Sequence, residues 1–362
     1  MSSSSRSSFP IMIKNSQIVE QEEEDLDEYL LHEMGYAQEL YRGFSPFMSA
    51  GQLAPPRHAP LASFICGWFN FVGNVASGAA FSSGFSTIIN TAVILDGKSP
   101  LSTSTQMAIS VGITFVWAVQ NVLRIDQQGW LNNVAGAHLA EETRAADSAA
   151  PKGIVGTCLC SAIVGITYLL SLLFAIPNVA TFIKENNNNN SSINLAVATY
   201  QLAVPRRGAL ALTILLALNL HFGGMAVITV SSRIGFAMAR DGVFPFSHYL
   251  RYIFEPTKTP LANVFLVFLI DSVLLLLQLV STTAFTAIIA ITTLGYQISY
   301  LIPILLRCTI ARHTFPVGEF NLGRFGIPIA IISSIWLSIT SIIMFFPANY
   351  PGMINLKTIN YA

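Results

Sequence analysis

One carboxylate interrupts the longest charge-poor part of this 362-residue chain, between Lys258 and Arg307: Asp271 lies about midway along the apolar run at 259–280. A carboxylate at bilayer depth costs several kcal/mol unless it pairs, takes up a proton or meets water. Such a group marks either a functional site or a packed structural joint, and both readings fit Asp271. His221, in NLHFGG, sits near the middle of another run, two residues after Asn219. It reads as a hydrogen-bonded packing residue or as a proton relay. Tyr296 and Gln297 interrupt a third run, Asn70 and Asn74 a fourth; each asparagine makes an interhelical hydrogen bond or a substrate contact. At the end of a run, Arg233 and Arg240 lie seven apart, on one face if the helix continues. Asp241, Gly242 and Pro245 follow, as expected just past a helix C-terminus. Glu141 and Glu142 are adjacent, so on a helix they point about 100° apart, poor geometry for a paired acid and base. They read as interfacial salt-bridge residues. No GxxxxGK[ST], HExxH or GxSxG motif occurs, so neither enzyme activity nor a cofactor is expected.

The elements that position these residues are membrane helices. Hydrophobic residues make up 52% and charged residues 10%, against roughly 25% charged in soluble domains. Soluble helices carry charge on one face, whereas whole runs here lack it on every face. The net charge is zero, which suggests no nucleic-acid partner. Cys66, Cys158, Cys160 and Cys308 show no Cys-x-x-Cys spacing and read as small hydrophobes, not a metal or disulfide framework.

Residues 1–57 read as a polar cytoplasmic tail, largely disordered, with the acidic block EEEDLDE at 22–28. No apolar h-region follows the first methionine, so no cleavable signal peptide is expected. A transmembrane domain over 58–348 then contains seven runs. Span A (61–95) is long for one crossing, which suggests a tilted or irregular helix; Gly73, Ser77, Gly78, Ser82 and Gly84 give it small-xxx-small pairs for close helix packing. Span B covers 105–123, and a polar segment follows. Span C (153–177) has Pro151 placed to begin its helix. A polar loop comes next, with an asparagine tract at 186–190 and two N-x-S sequons, Asn189-Asn190-Ser191 and Asn190-Ser191-Ser192. Span D (208–232) continues as a charged extension to Asp241. Spans E (259–280) and F (284–306) turn near Ser281, span G covers 326–347, and 349–362 is a short tail. Gly223-Gly224 and Gly295 could permit local unwinding of the kind transporters use. Of the 19 lysines and arginines, 14 fall on the side of the N-terminal tail and five on the other. The positive-inside rule then places the N-terminus inside, the C-terminus outside, and the sequons outside.

Several stretches carry a family resemblance. SSRIGFAMARDGVFPFS resembles the S-R-x-x-x-A-x-x-R-D-G-x-x-P-x-S signature of fungal and plant amino-acid/GABA/choline permeases, members of the amino acid–polyamine–organocation superfamily. GAHLAEETRAADSAAPKGI is similar to the family's segment from helix six into helix seven. QLAPPRHAPLASFICGWFNFVGN is similar to the entry into helix three, and GYAQELYRGFSPF to the amphipathic stretch before helix one. The motifs occur in family order and cover most of the chain. The resemblance implies an all-α membrane protein with the inverted five-plus-five repeat, here incomplete at about seven transmembrane helices. GFSPFMSAG passes directly to QLAPPRHAP, without helices one and two; helix five and most of helix six are missing between Arg124 and Ala135; the sequence stops about where helix twelve would begin.

The resemblance implies transport of a small amine or amino-acid solute across a plasma or organelle membrane, with a proton as a candidate coupling ion. In the family, the unwound middles of helices one and six hold the substrate. Of these, only the end of helix six, Gly136–Thr143, survives. Trp68, Asn70, Asn74, Gly136 and Asn219 are the remaining candidate substrate contacts. Arg233, Arg240, Asp241, Glu141 and Glu142 are a candidate cytoplasmic anchor or gate, with a purely structural role as the alternative. Two other readings stand beside transport. One is a non-transporting membrane protein that associates with full-length relatives. The other is a seven-span receptor, which the charge count disfavours because such receptors place the N-terminus outside.

Overall fold

The computed structural model describes residues 53–123, 146–182, 194–312 and 322–344, apart from 56, 180, 255, 256 and 258. The acidic block, the asparagine tract with its sequons, and the tail at 349–362 lie outside the described residues. Every apolar run becomes a helix. Span A is α1 (Ala59–Leu95), one unbroken helix of roughly 55 Å at 1.5 Å per residue, well beyond the ~30 Å hydrocarbon core. A proline in its first turn starts it. Gly97, at φ 84, stops it: Gly97 N–H bonds to the Ile94 carbonyl and Lys98 N–H to that of Val93, the paired bonds of a left-handed glycine cap.

Span B is α2 (Thr103–Val122), started by Ser102, whose Oγ accepts from the Thr105 N–H at 3.2 Å. Span C is α3 (Ala146–Ala175); it begins more than a turn ahead of Pro151, so this proline lies inside the helix instead of opening it. The loop expected after it contains α4 (Leu195–Ala203), capped by Asn194, with Val197 and Tyr200 buried against Ile88 and Leu95 of α1. Nine residues between polar neighbours show too little periodicity to stand out, and tertiary packing supplies what local sequence does not. Span D and its extension are α5 (Arg206–Arg240). The four-residue α6 (Ser247–Leu250) follows, then α7 (Leu261–Val280) and α8 (Thr282–Thr309), split at Ser281 where the polar turn was expected. A 3-10 turn (Gly323–Phe325) leads into α9 (Gly326–Met344).

Six of the seven runs become helices long and apolar enough to cross a membrane by those criteria. The exception is α2. Its 20 residues match the hydrocarbon thickness, but Gln106, Gln120 and Asn121 make its ends polar. Its buried residues Trp117, Ala118 and Asn121 pack against α5 instead of facing lipid.

Hydrocarbon is as apolar as leucine, so helices in lipid associate through close fit and hydrogen bonds more than through the hydrophobic effect. α1 supplies both. It packs against α2, α5, α7 and α8, with α9 beyond α8 and α3 beside α4. The glycines that could permit local unwinding sit at close helix contacts, and α5 and α8 run through theirs unbroken. A β-carbon at Gly295 would lie 2.7 Å from Gly73 Cα, and one at Gly224 would lie 2.2 Å from the Trp117 ring. These glycines are where a neighbouring backbone or ring comes closest.

Candidate functional site

The polar residues of α1 form a seam with α8. Three- and four-residue spacing puts Cys66, Asn70, Gly73 and Asn74 toward one neighbour. Asn74 Nδ2 donates to Asn70 Oδ1 at 2.7 Å and to the Asn70 carbonyl at 2.8 Å. The Tyr296 hydroxyl donates to Asn74 Oδ1 at 2.9 Å. Asn70 Nδ2 donates weakly to Ser299 Oγ at 3.4 Å, and Cys66 Sγ to the Ser299 carbonyl at 3.0 Å. Gln297 Oε1 accepts from Ser341 of α9 at 2.8 Å, which extends the polar contacts outward. Both asparagines are buried. Asn70 Nδ2 and Asn74 Oδ1 make bonds to α8, at about 0.6 and up to 2 kcal/mol each, while Asn74 Nδ2 bonds within α1.

The other candidates lie elsewhere. Trp68 is half-buried, edge-on to Phe64, Phe71 and Phe244, with centroids 5.3 Å from Phe244. Its Nε1 is enclosed and has no hydrogen-bond partner among the described residues. It belongs to an aromatic cluster where the segment after α5 folds back on α1, apart from the asparagine seam. Asn219 is on an exposed face of α5. His221 Nδ1 accepts from Trp117 Nε1 at 3.0 Å, and its ring packs beside Phe85 and Phe222. That geometry is the hydrogen-bonded packing arrangement. Gly136, Glu141 and Glu142 lie outside the described residues. The structure thus joins Asn70 to Asn74 and leaves Trp68 and Asn219 apart from them.

Asp271 occupies a different interface. It lies on the buried stripe of α7 formed by Asn263, Val267, Asp271 and Leu275, four residues apart. Its side chain is fully buried, and neither carboxyl oxygen has a hydrogen-bond partner among the described residues. It presses into the backbone of α1 at Gly78, where a β-carbon would meet Oδ2 at 2.4 Å.

A set of hydroxyl contacts escaped the sequence reading. Ser82 and Thr114 share a hydrogen bond of 2.6 Å, and Ser110 donates to Ser86 at 2.8 Å, joining α1 to α2. Thr229 of α5 donates to Asn121 Oδ1, and Asn121 Nδ2 reaches the Met225 carbonyl at 3.2 Å. Ser83 donates to Gln278 of α7 at 3.3 Å. The available signal was the four-residue spacing of Ser82 with Ser86 and of Ser110 with Thr114.

At the end of α5, Arg240 Nε lies 3.5 Å from Asp241 Oδ1. The unbroken helix carries Arg233 on the same face, half-buried. Gly242, at φ 74, ends it: Val243 N–H bonds to the Met238 carbonyl and Gly242 N–H to that of Ala239.

Comparison with known proteins gives this arrangement a context. Residues 135–362 match the model of the amino acid permease family. The chain is 28% identical to amino-acid permease BAT1 of Arabidopsis thaliana, over 86% of this chain and 74% of that protein. The 387 positions of that alignment exceed the 362 residues available, so the Arabidopsis protein has stretches without a counterpart here. A BAT1 homolog of Oryza sativa subsp. japonica is 33% identical over 63% of this chain and 44% of its own length. Thiamine transporter thi9 of Schizosaccharomyces pombe is 28% identical over 63% of this chain and 38% of its own length. The chain spans less than half of these last two relatives. With the family match over more than half its residues, on helices of membrane-spanning length, this chain belongs to the amino acid permease family.

Proposed function

We propose that the protein takes part in amino-acid-type transmembrane transport, as an incomplete version of the five-plus-five repeat, with an amino acid, GABA, choline or a polyamine as solute. The observation that carries this reading is the family match over residues 135–362. Relatives named for amino acids, thiamine and polyamines support the solute class, since all of these carry a positively charged nitrogen. The excess of lysine and arginine on one side supports a cytoplasmic N-terminus, with Arg233, Arg240 and Asp241 as an inner anchor. The membrane is a plasma or organelle membrane. Asp271, ionisable, buried and without a hydrogen-bond partner among the described residues, is the group suited to a coupling proton.

Alternating access moves one repeat against the other, and the family's substrate-holding helices have no full counterpart in this sequence. The test is uptake of labelled amino acids and polyamines by cells expressing this chain or a form with helices one, two, five and six restored. Uptake by the chain alone supports the transport reading. No uptake by the chain, alongside uptake by the restored form, overturns transport by this chain.

A specific observation favours a second reading, association with full-length relatives: no residue of 152–175 in α3 is buried among the described residues. Co-purification of the chain with a full-length relative tests this, and failure to co-purify removes it.

A further inference from the structure

The segment that follows α5 builds a basic cradle. Beyond Gly242, Phe244 turns back to the aromatic cluster, 5.2 Å from Phe71 and 5.3 Å from Trp68 between ring centroids. Phe246 then takes a left-handed φ of 63, and α6 makes a single turn. The Leu250 carbonyl accepts from Asn263 Nδ2 of α7 at 2.6 Å, and Phe254 pairs with Thr259 as an isolated antiparallel bridge. These contacts hold open a cavity of about 710 Å³ lined by Arg240, His248, Tyr249, Arg251, Tyr252 and Ala262. Two arginines and one histidine line it, and among the described residues no carboxylate does, although Asp241 Oδ1 lies 3.5 Å from Arg240 Nε at its edge.

We propose that this cradle binds a phosphate-bearing anion, and that its occupant is the headgroup of an anionic phospholipid. The arginine fork matches phosphate oxygens in shape and charge. A free phosphate shares that chemistry, but the surroundings favour lipid. The cradle sits at the end of a helix that outruns the hydrocarbon core. Tyr249 and Tyr252 are exposed beside it, amphipathic rings of the kind that settle at headgroup level, with Phe246 exposed next to them. Basic residues at a membrane surface gain from anionic lipid. The proposal requires a membrane protein and does not depend on transport.

The test is native mass spectrometry of the purified full chain in detergent, titrated with phosphatidylserine or phosphatidylcholine, with and without excess inorganic phosphate. Phosphatidylserine should be retained in preference to phosphatidylcholine. Replacing the exposed pair, His248→Gln with Arg251→Gln, should lower that retention at least fivefold, since one arginine near an anionic surface contributes roughly that factor. The fold is checked by unchanged elution, and Arg324→Gln should leave retention as it was. Displacement of phosphatidylserine by inorganic phosphate would make a free anion the occupant and overturn the lipid assignment. Equal retention of the two lipids, or no effect of the paired substitution, overturns the cradle itself.

Discussion

Asp271 fits against α1 because residue 78 has no side chain: the carboxyl fills the space a β-carbon would take. Gly78→Ala should therefore destabilise the protein by about 1–3 kcal/mol, the usual range for overpacking. Asp271→Ala in the same chain should recover much of that loss, because the collision disappears; thermal unfolding of the four forms in detergent measures the coupling. In a transport-competent form carrying the restored helices, Asp271→Asn keeps the shape and removes the exchangeable proton. Uptake should continue with a flattened pH profile, and an unchanged profile excludes Asp271 as the coupling group. The sequence showed that Asp271 was exceptional, since it alone breaks a long uncharged run. It did not show the partner, because Gly78 is remote in sequence and reads as one small residue among several.

Helix pairs show the same limit at the next scale. The existence and order of the seven long helices followed from charge-poor runs, and the end of α5 from the glycine and proline just past its last turn. The role of glycine inside a helix did not follow, because composition does not separate a weak backbone from a close approach. At Gly224 the ring of Trp117 decides the matter. Gly224→Ala should loosen α2 from α5 by about 1–3 kcal/mol, seen as a lower melting temperature in detergent. Trp117→Phe should cost less at the hydrogen bond to His221, about 1 kcal/mol, with a further loss from the smaller ring. If Gly224 served local unwinding instead, alanine there would leave thermal stability nearly unchanged. Asn70 and Asn74 were legible as polar interruptions, whereas Tyr296 and Ser299 become their partners only once α8 lies against α1.

For the whole molecule, the described helices divide into a packed group around α1 and an outlying α3. Cysteine accessibility reads this division directly. Cys66 is buried, while Cys158 and Cys160 on α3 are exposed, so in detergent a maleimide should modify the α3 pair well before Cys66. Co-expression with a full-length relative should slow modification of Cys160 if that relative covers α3, and unchanged labelling would leave α3 against lipid. The charge pattern that ordered the loops is legible along the chain, but the outlying place of α3 is not. Its residues are as apolar as those of α7, and only the three-dimensional neighbours distinguish the two.

The central place of α1 has a consequence for how this gene can change length. One residue inserted near Ala80 would rotate everything beyond it by about 100°. The contacts of Ser82, Ser83 and Ser86 would then leave their partners on α2 and α7, while Asn70 and Asn74 stayed in register with α8. The same insertion between Gly97 and Ser102 falls in the connection after the helix and leaves every one of these registers intact. Tolerance of insertions should therefore change abruptly at Gly97: frame-preserving length variants that fold should accumulate after it and be nearly absent from the thirty or so residues before it.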